Sequence, residues 1–463
     1  MFKISELKKA SSGRLVRKGS SGSASSVSID SRSVKRGQAF IAVKGDRFDG
    51  HDFVEQALKK GAACVIVQKG FCVSLPGKAS VIEVDDTVRA LGDIARYHRA
   101  RFDIPVIAVT GSNGKTTTKD MLAWLLSAGR KVLKNEGTQN NHIGVPMTLL
   151  KLDRSYKCAV IELGTNHFGE IAYLAGIAAP NIAIITNIGP SHLEFFKDLA
   201  GVLKEKKNVL KFLQNPNICV LNADDPILSG LNKSRSIAGK GKPFYITFGV
   251  EQPCDFKAQN ILRQGDFLRF STASCGELKL NTPGKKNIYN ALAAIAVSRM
   301  LGMSYSAIAR RLESFTFPGG RLTIKRVKEA LVIDDTYNAN PQSLTQALET
   351  LRDLGSCARR IMVMGDMLEL GDQAEKFHRD AGTQAASSCD VFITVGKRSM
   401  AAAANAITAG LEKSQVFACS DLAQAKDVLL NTVTIKKDDH ILLKGSRGMK
   451  LDQMLADLQA NLT

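Results

Sequence analysis

The 463-residue sequence lacks several features that mark particular classes of protein. It has one Trp and seven Tyr, and its Lys and Arg residues form neither a basic tail nor a run longer than short pairs. No apolar run approaches the roughly 18 residues that a membrane-spanning helix needs. The N-terminus is basic but has no apolar segment of the kind found in secretory signals. We therefore expect no membrane insertion, no secretion and no aromatic nucleic-acid-binding surface.

Cysteine pairs are also missing. The nine cysteines, at positions 64, 72, 158, 219, 254, 275, 357, 389 and 419, form no C-x-x-C pair, and their number is odd. This pattern is typical of buried thiols in a reducing compartment. We therefore expect a cytoplasmic protein.

The net charge of +19 has more than one explanation. The positive excess lies before residue 319, and the remainder of the chain is balanced. A positive field spread in this way suits small polyanionic ligands at least as well as a nucleic acid. A basic surface without function and a nucleic-acid-dependent ATPase both remain as alternatives.

The chain order indicates three α/β domains. Apolar, β-branched runs such as IPVIAVTG (104–111), CAVIELG (158–164) and NIAIITNIG (181–189) alternate with helical patterns, as in parallel sheets. Proline 105 suits a domain entry, and FPGGRL (317–322) interrupts any regular element. We predict a small α/β domain over 1–104, a central P-loop-type parallel-sheet domain over 105–318 and a doubly wound, Rossmann-like domain over 319–463.

The stretch TGSNGKTTTK (110–119) resembles a phosphate-binding loop. Gly111 and Gly114 let the backbone bend round an anion, Lys115 supplies positive charge, and Thr116 can place a hydroxyl on Mg²⁺. An apolar strand precedes the loop and a helical pattern follows it. We predict an ATP site that contains Gly111, Ser112, Asn113, Gly114, Lys115, Thr116 and Thr117.

Two further residues follow strands of the same predicted sheet. Glu162 ends CAVIE, and His192 follows NIAIITN in the segment NIGPSHLEFF. The carboxyl ends of parallel strands meet at one edge of a sheet, where ligands bind. We therefore expect both side chains near Lys115, in a position to hold a metal ion.

These motifs together resemble the central domain of the Mur ligases, the ATP-dependent amide ligases of peptidoglycan assembly. The resemblance continues along almost the whole chain. It includes DSRSVKRGQAFIAVKGDRFDGHDF (30–53), TQNNHIGVP (138–146), GVLKEKKNVL (201–210), KKNIYNALAA (285–294), DDTYNANPQS (334–343), MGDMLELG and LLKGSRGMK. It implies a bacterial cytoplasmic enzyme that closes its third domain during the reaction.

The acceptor-side motifs distinguish members of the family. DDTYNANPQS and MGDMLELG are similar to the member that joins D-Ala-D-Ala to UDP-MurNAc-tripeptide, and the DYAHTPD-like and DNPR segments of the tripeptide-adding member are missing. Folylpolyglutamate synthases share the phosphate loop, but segment 30–53 argues against them. The resemblance therefore implies an acyl-phosphate intermediate, those two substrates, ATP and two Mg²⁺ ions, with a monomeric chain and no nucleic acid.

The resemblance also implies roles for individual residues. Thr116 and Glu162 would hold one Mg²⁺, and His192 with a carbamylated Lys206 would hold the second. Without the resemblance, the lysines of LKEKKN are equally well explained as a charged helix face. The implied catalytic set is Lys115, Glu162, His192, Lys206, Arg321 and Asp335.

Nucleotide and substrate contacts complete the prediction. Asn287 would lie at the adenine, Arg321 at the hinge and phosphates, and Asp335 at the ribose or at the closed domain interface. Lys286 stands where the family usually has His. The predicted substrate residues are Ser31, Arg32, Asp49, Gly50 and His51 for the uridine part, Asn140 and Asn141 in the substrate loop, and Tyr337, Asn338 and Asn340 for the dipeptide. An ordinary turn also explains the asparagines before Pro341.

Overall fold

The computed structural model describes residues 1–462 except 46–47, 72–77, 233–242, 274, 328 and 356–357. Three larger sheets follow one another along the chain, and each falls within one of the three predicted segments. The predicted α/β class is thereby confirmed. None of the described helices is long and apolar enough to cross a membrane.

The N-terminal part contains a five-stranded sheet of order β2-β7-β6-β5-β4, which is parallel except for β2, and a two-stranded ribbon of β1 and β3. Its elements are β1 (Phe2–Lys3), α1 (Ile4–Ala10), β2 (Arg14–Arg17), β3 (Ser23–Ala24), β4 (Val27–Ser28), β5 (Ala39–Ile41), α2 (Val54–Lys59), β6 (Cys64–Gln68), β7 (Ser80–Val84) and α3 (Thr87–Arg99).

The central part is built on a nine-stranded sheet of order β16-β15-β14-β13-β12-β11-β8-β10-β9. Its elements are β8 (Val106–Thr110), α4 (Lys115–Leu126), β9 (Lys131–Lys134), α5 (Gly144–Leu149), β10 (Tyr156–Glu162), α6 (Glu170–Ala178), β11 (Ile182–Ile185), α7 (Leu193–Phe196), α8 (Leu199–Lys206), β12 (Ile218–Asn222), α9 (Ser229–Asn232), β13 (Phe244–Gly249), β14 (Phe256–Gln264), β15 (Phe267–Thr272), β16 (Gly276–Leu280), α10 (Asn287–Met300) and α11 (Tyr305–Glu313).

The C-terminal part has a six-stranded sheet of order β17-β18-β22-β19-β20-β21, parallel except for β17. Its elements are β17 (Thr323–Val327), β18 (Ala330–Asp335), α12 (Pro341–Asp353), β19 (Arg360–Gly365), α13 (Ala374–Ala386), β20 (Val391–Val395), α14 (Met400–Thr408), β21 (Val416–Cys419), α15 (Leu422–Asp427), β22 (His440–Lys444) and α16 (Leu451–Leu462).

The middle of the central sheet is buried on both faces, which explains its uninterrupted apolar strands. Along β8, Ile107 and Val109 pack into one hydrophobic cluster with α4 and α10. Val106 and Ala108 pack into a second cluster on the opposite face, with α5 and α6. Successive side chains of a strand point to opposite faces, so one short run serves both clusters.

The strand order brings the predicted motifs to one place. Strand β8 pairs with β10 on one side and with β11 on the other, and all three are parallel. After β8 the chain therefore builds β9 and β10 on one side of this strand, and it then crosses to place β11 on the other side. Ligands of such sheets bind outside the carboxyl ends at this reversal. The phosphate-like loop, Glu162 and the segment leading to His192 all follow these three strands.

Candidate active site

A cleft of about 690 Å³ lies between the central and C-terminal parts. Its walls combine the loop after β8, the ends of β10 and β11 and the start of α10 with the segments after β18 and β22. Most of the residues predicted for ATP, metal and acceptor binding line this cleft. They are Ser112, Asn113, Gly114, Lys115, Thr116, Thr117, Asn140, Glu162, His192, Asn287, Arg321, Asp335, Tyr337, Asn338 and Asn340.

Both glycines of the loop are required by its geometry. Gly111 has a φ of +141°, and a Cβ there would lie 1.9 Å from Thr186 Oγ1. Gly114 has a φ of +80°, and a Cβ there would lie 2.3 Å from Asn290 Oδ1. Because L-residues with side chains rarely adopt such backbone conformations, the loop can wrap closely only with glycine at these positions.

Lys115 begins α4 and folds back onto its own loop. Its ammonium donates to the carbonyls of Gly111 and Ser112, at 2.8 and 3.2 Å. Desolvation lowers the pKa of Lys115, and the nearby charge of Glu162 opposes that effect. The amine of Lys115 and the first turn of α4 thus lie together at a position where an anionic group is favoured.

Glu162 is buried at the end of β10 and is only partly satisfied. Its Oε1 accepts from Asn140 Nδ2 at 2.7 Å, while Oε2 has no hydrogen-bond partner among the described residues. The Lys119 ammonium lies 3.9 Å from Oε2 and donates to the carbonyls of Asn135 and Gly137. A buried carboxylate oxygen without a partner is costly, and a cation would satisfy it.

His192 stands in the left-handed region at φ +53°, directly before α7. Its Nδ1 contacts Glu369 Oε2 at 2.5 Å, across the gap between the central and C-terminal parts. This hydrogen bond is the main reason that the pKa of Glu369 is lowered. With its Nδ1 directed at a carboxylate, the ring leaves Nε2 as the atom that would face a metal ion, the usual arrangement for a metal-binding histidine.

Lys206 is the last residue of α8 and is 1% exposed. No hydrogen bond or ion pair joins its ammonium to any residue that the structure describes. Desolvation, followed by repulsion from Lys115, holds the pKa of Lys206 well below the ordinary value of lysine. An amine in this environment favours its neutral, nucleophilic form.

Arg321 connects the loop to the C-terminal part. Its Nη2 donates to Thr116 Oγ1 at 2.9 Å, and its guanidinium lies 3.9 Å from the centre of the Tyr337 ring. A stacked guanidinium of this kind is held by the ring face. Arg321 therefore places a fixed positive charge beside the hydroxyl predicted to bind Mg²⁺.

Asp335 ends β18 and forms a buried ion pair with Lys444, which is 1% exposed. Its other carboxylate oxygen accepts from the backbone of Leu322, at 3.2 Å. Lys444 also donates to the carbonyl of Asn338, at 3.1 Å. Asp335 thus ties the hinge segment to two loops of the C-terminal part, and its predicted ribose contact stays a prediction.

Asn287 lies at the start of α10, within a network of polar side chains. It donates to Thr282 Oγ1 and accepts from Asn290 Nδ2, both at 2.9 Å. Asn290 in turn accepts from Thr118 of α4. Lys286, the departure from the family pattern, also lines the cleft, with its ammonium 5.2 Å from the Tyr289 ring centre.

The residues predicted for uridine binding lie together in the N-terminal part and do not line the cleft as the structure describes it. His51 Nε2 accepts from the backbone of Gln68, so its Nδ1 carries the hydrogen that Asp49 accepts at 2.6 Å. Arg32 pairs with Asp30, and Ser31 Oγ donates to a glutamine of α2. A Cβ on Gly50 would collide with the backbone of residue 43.

Asn141 has a local structural role instead of facing the cleft. Its Oδ1 accepts from the backbone of Ile143 and Gly144 at the start of α5. Asn140, its neighbour, reaches Glu162 in the cleft. The two adjacent asparagines therefore have different surroundings, and a substrate contact of Asn141 stays a prediction.

Sequence reasoning missed four side chains of this region: Lys119, Gln342, Glu369 and Lys444. Lys119 lies one helical turn after Lys115, a spacing that places both on one face of α4. Glu369 and Lys444 fall within the motifs MGDMLELG and LLKGSRGMK, and the resemblance of a motif does not by itself assign a role to each of its residues. Nothing in the local sequence distinguishes Gln342 from other residues of a helix start.

The fold and the cleft define a class of protein, a three-domain α/β enzyme with its phosphate-type loop at a domain junction. Family models match three successive segments: the Mur ligase family catalytic domain (residues 23–99), the Mur ligase middle domain (109–298) and the Mur ligase glutamate ligase domain (320–447). The chain belongs to the Mur ligase family.

Individual relatives agree with that assignment. The UDP-N-acetylmuramoyl-tripeptide-D-alanyl-D-alanine ligases of Bacillus subtilis and Escherichia coli are 35% and 36% identical, over 93% and 94% of this chain and 92% and 94% of their own. A crystal structure of MurF from Acinetobacter baumannii matches at a TM-score of 0.87 and 32% identity, covering 99% of both chains. MurF from Thermotoga maritima in complex with ADP matches at 0.82 and 28%, over 94% of this chain and 97% of that one.

Proposed function

We propose that this protein is an ATP-dependent ligase that joins D-Ala-D-Ala to UDP-MurNAc-tripeptide and so produces the pentapeptide precursor of peptidoglycan. Full-length relatives that carry the name of this activity support the proposal. The observation that carries it is the composition of the cleft. Lys115, Glu162 and His192 of the central part face Tyr337 and Asn338 of the C-terminal part across one space.

The reaction explains why these groups must meet. A carboxylate is a poor acyl donor because its leaving group would be oxide. Transfer of the γ-phosphoryl group of ATP to the tripeptide carboxylate gives an acyl phosphate and ADP. The dipeptide amine then attacks the acyl carbon, an amide forms, and phosphate leaves with the bonding electron pair. Two anions approach each other in the first step, and Lys115 and Arg321 supply opposing positive charge.

The residues at the loop fit a magnesium ion. Mg²⁺ is held in such enzymes by one or two protein oxygens together with water and substrate phosphates. Among the described residues no three His, Cys, Asp or Glu side chains form a metal cluster by themselves. The unpartnered Oε2 of Glu162 and the hydroxyl of Thr116 supply such oxygens. When bound, the ion would neutralise phosphate charge during transfer.

A second cation would lie at His192 and Lys206. Carbamylation of Lys206 would consume CO₂: the neutral amine attacks the carbon, the electron pair of one C=O π bond moves to oxygen, and the nitrogen loses one proton. The product is a carbamate, whose terminal carboxylate is joined to the lysine nitrogen. The low pKa of this buried lysine favours the reactive form. Glu369 would then orient His192 toward the cation by holding its Nδ1 hydrogen.

The remaining residues bind and orient. Asn287 and Arg321 would contact the nucleotide, and Asp335, held by Lys444, would keep the hinge in its closed arrangement. Tyr337, Asn338 and Asn340 would line the dipeptide pocket, and Asn140 would lie at the donor side beside Glu162. Ser31, Arg32, Asp49, Gly50 and His51 would receive the uridine part, with Asn141 holding the substrate loop. We propose the domain divisions at 104/105 and 318/319, a monomer and a cytoplasmic location.

The test is phosphate release with ATP, Mg²⁺ and UDP-MurNAc-tripeptide. D-Ala-D-Ala is compared with single amino acids and with no acceptor, and a Lys115→Met variant serves as the inactive control. Release that requires the dipeptide, with a product heavier by the dipeptide less water, supports the proposal. Release with a single amino acid would assign the protein to another activity of the family. Stimulation by nucleic acid without any acceptor would contradict the proposal.

A further inference from the structure

The side chain of Asn113, in the phosphate loop, points away from the loop and onto the C-terminal part. Its Oδ1 accepts from Asn340 Nδ2 at 2.8 Å, and its Nδ2 donates to Gln342 Oε1 at 2.8 Å. Both partners lie at the start of α12: Asn340 is its N-cap residue and Gln342 is its second residue. We propose that Asn113 is a positioning residue that docks α12 on the phosphate loop and thereby sets the acceptor pocket.

The orientation of each side-chain amide in this series of hydrogen bonds follows from the orientation of its neighbour. Asn340 Oδ1 accepts from the backbone of Ser343, as expected for a helix N-cap. Its Nδ2 is therefore the group that faces Asn113, whose Oδ1 must accept. Asn113 then presents Nδ2 to Gln342. A helix cap in one domain thus dictates the orientation of a side chain in the nucleotide loop of another.

The backbone of Asn113 is fixed independently within the central part. Its N–H donates to Asn187 Oδ1 at 2.9 Å, and its carbonyl accepts from Thr186 Oγ1 at 2.6 Å. Both partners directly follow β11. The side chain of Asn113 can therefore reach α12 only while the loop keeps this shape, so docking depends on loop conformation.

The surfaces around this contact meet closely. A Cβ on Gly189, which follows β11, would lie 2.3 Å from Gln342 Oε1. Gln342 thus packs directly against the central backbone in addition to bonding Asn113. Such contact requires both surfaces to be in register, so the Asn113 bonds depend on the arrangement of the two parts seen in this structure.

The acceptor residues lie immediately before this contact. Tyr337 and Asn338 precede Asn340 by three and two positions, on the segment that leads into α12. When α12 docks on Asn113, these side chains are brought to the cleft. Occupancy of the loop and affinity for the acceptor are then coupled, and coupling between two binding sites is reciprocal. The inference rests on the proposed function only for the identity of the acceptor.

The test compares Asn113→Ala and Gln342→Ala, which remove the contact from opposite sides. Glu349→Ala is the control, because Glu349 lies on the exposed face of α12. We expect the KM for D-Ala-D-Ala to rise about tenfold in both contact variants, the scale of one or two neutral hydrogen bonds. Because the coupling is reciprocal, the KM for ATP measured at saturating D-Ala-D-Ala should rise by a similar factor in Gln342→Ala, whose changed side chain lies outside the phosphate loop. The double variant should raise the KM for D-Ala-D-Ala by less than the product of the two single increases, because both side chains belong to one contact.

A second readout does not require turnover. With a non-hydrolysable ATP analogue and UDP-MurNAc-tripeptide, small-angle scattering should show a larger radius of gyration for both contact variants than for wild type and Glu349→Ala. Unchanged compactness together with an unchanged acceptor KM would overturn the inference. Multiplicative effects in the double variant would also overturn it, because they would mean that the two side chains act separately. A wild-type protein that releases no phosphate would contradict the proposed function instead.

Discussion

Replacing Lys119 by methionine tests the electrostatic arrangement behind the cleft. Lys119 is fully buried in α4 and donates to the carbonyls of Asn135 and Gly137 at 2.9 and 3.1 Å. Its ammonium also lies 3.4 Å from Asp120 and 3.9 Å from Glu162. Methionine keeps the length and apolar part of the side chain, so the change removes mainly the charge and its hydrogen bonds.

The expected loss of unfolding free energy is about 3 kcal/mol. Removing one partner of a buried charge pair costs roughly 3–5 kcal/mol, since the remaining charge stays buried. Two carbonyls also lose a charged donor, at about 1–3 kcal/mol for each unsatisfied group. The ammonium no longer has to be desolvated, and this opposes both losses. Desolvation is already the main reason that the pKa of Lys119 is lowered, so we expect the net loss to fall below the sum, near the lower bound for the charge pair alone.

The single Trp of the chain makes the measurement selective. Trp124 lies on the same helix as Lys119 and stacks with Arg311, whose guanidinium is 3.6 Å from the ring centre. Its fluorescence in a urea titration therefore reports unfolding of the central part. Lys134→Met is the matched control: Lys134 shares Asp120 but is 43% exposed, and exposed pairs contribute about 0–1 kcal/mol. A Lys119→Met loss below about 1 kcal/mol, or equal to the control, would refute the reasoning.

Three further changes have defined outcomes. Gly114→Ala should weaken nucleotide binding about tenfold or more by calorimetry, because its Cβ would collide with Asn290 at a positive φ, whereas Gly129→Ala meets nothing within 4 Å and should bind normally. Glu162→Gln should lower the rate of phosphate release about a hundredfold. Excess Mg²⁺ should not restore the rate, because the charge of the metal ligand is lost. Lys206→Met should raise the urea midpoint at neutral pH without bicarbonate while abolishing activity. The stability advantage of Lys206→Met over wild type should shrink as pH rises toward the ordinary pKa of lysine. Burial lowers the pKa of Lys206 in the folded state, so wild-type folding must remove a proton from this amine, and the cost of that removal falls as pH rises.

Much of the central part could be predicted from sequence because its signals are local. The strand β8 is a buried run of β-branched and small residues, and the loop after it needs glycine at two positions for steric reasons. Glu162 was placed correctly beside Lys115, because the ends of parallel strands meet at one edge. These arguments require only neighbours in the chain and the general geometry of a parallel sheet.

Contacts between domains could not be predicted in the same way. His192 and Glu369 are 177 residues apart, and Asn113 and Gln342 are 229 apart. Their meeting depends on the relative placement of two domains, which no periodicity encodes. The adjacent Asn140 and Asn141 show a related limit. One reaches the cleft and the other accepts from backbone N–H groups at the start of α5, because a change of one position turns the side chain elsewhere.

Four lysines of the active-site region differ in the partners of their ammonium groups. Lys115 and Lys444 line the cleft, whereas Lys119 and Lys206 are buried and are not part of its lining. Lys119 and Lys444 have internal acidic partners, Glu162 with Asp120 and Asp335 respectively. Lys115 bonds only to loop carbonyls, and Lys206 has no partner among the described residues. A buried lysine without an ion pair is unfavourable in its charged form, so a phosphate beside Lys115, or conversion of Lys206 to a carbamate, would lower the energy. Counting charges in the sequence cannot separate these two pairs of lysines. The separation requires knowing which carboxylate each ammonium meets, and it is this difference that divides structural lysines from those proposed to take part in the reaction.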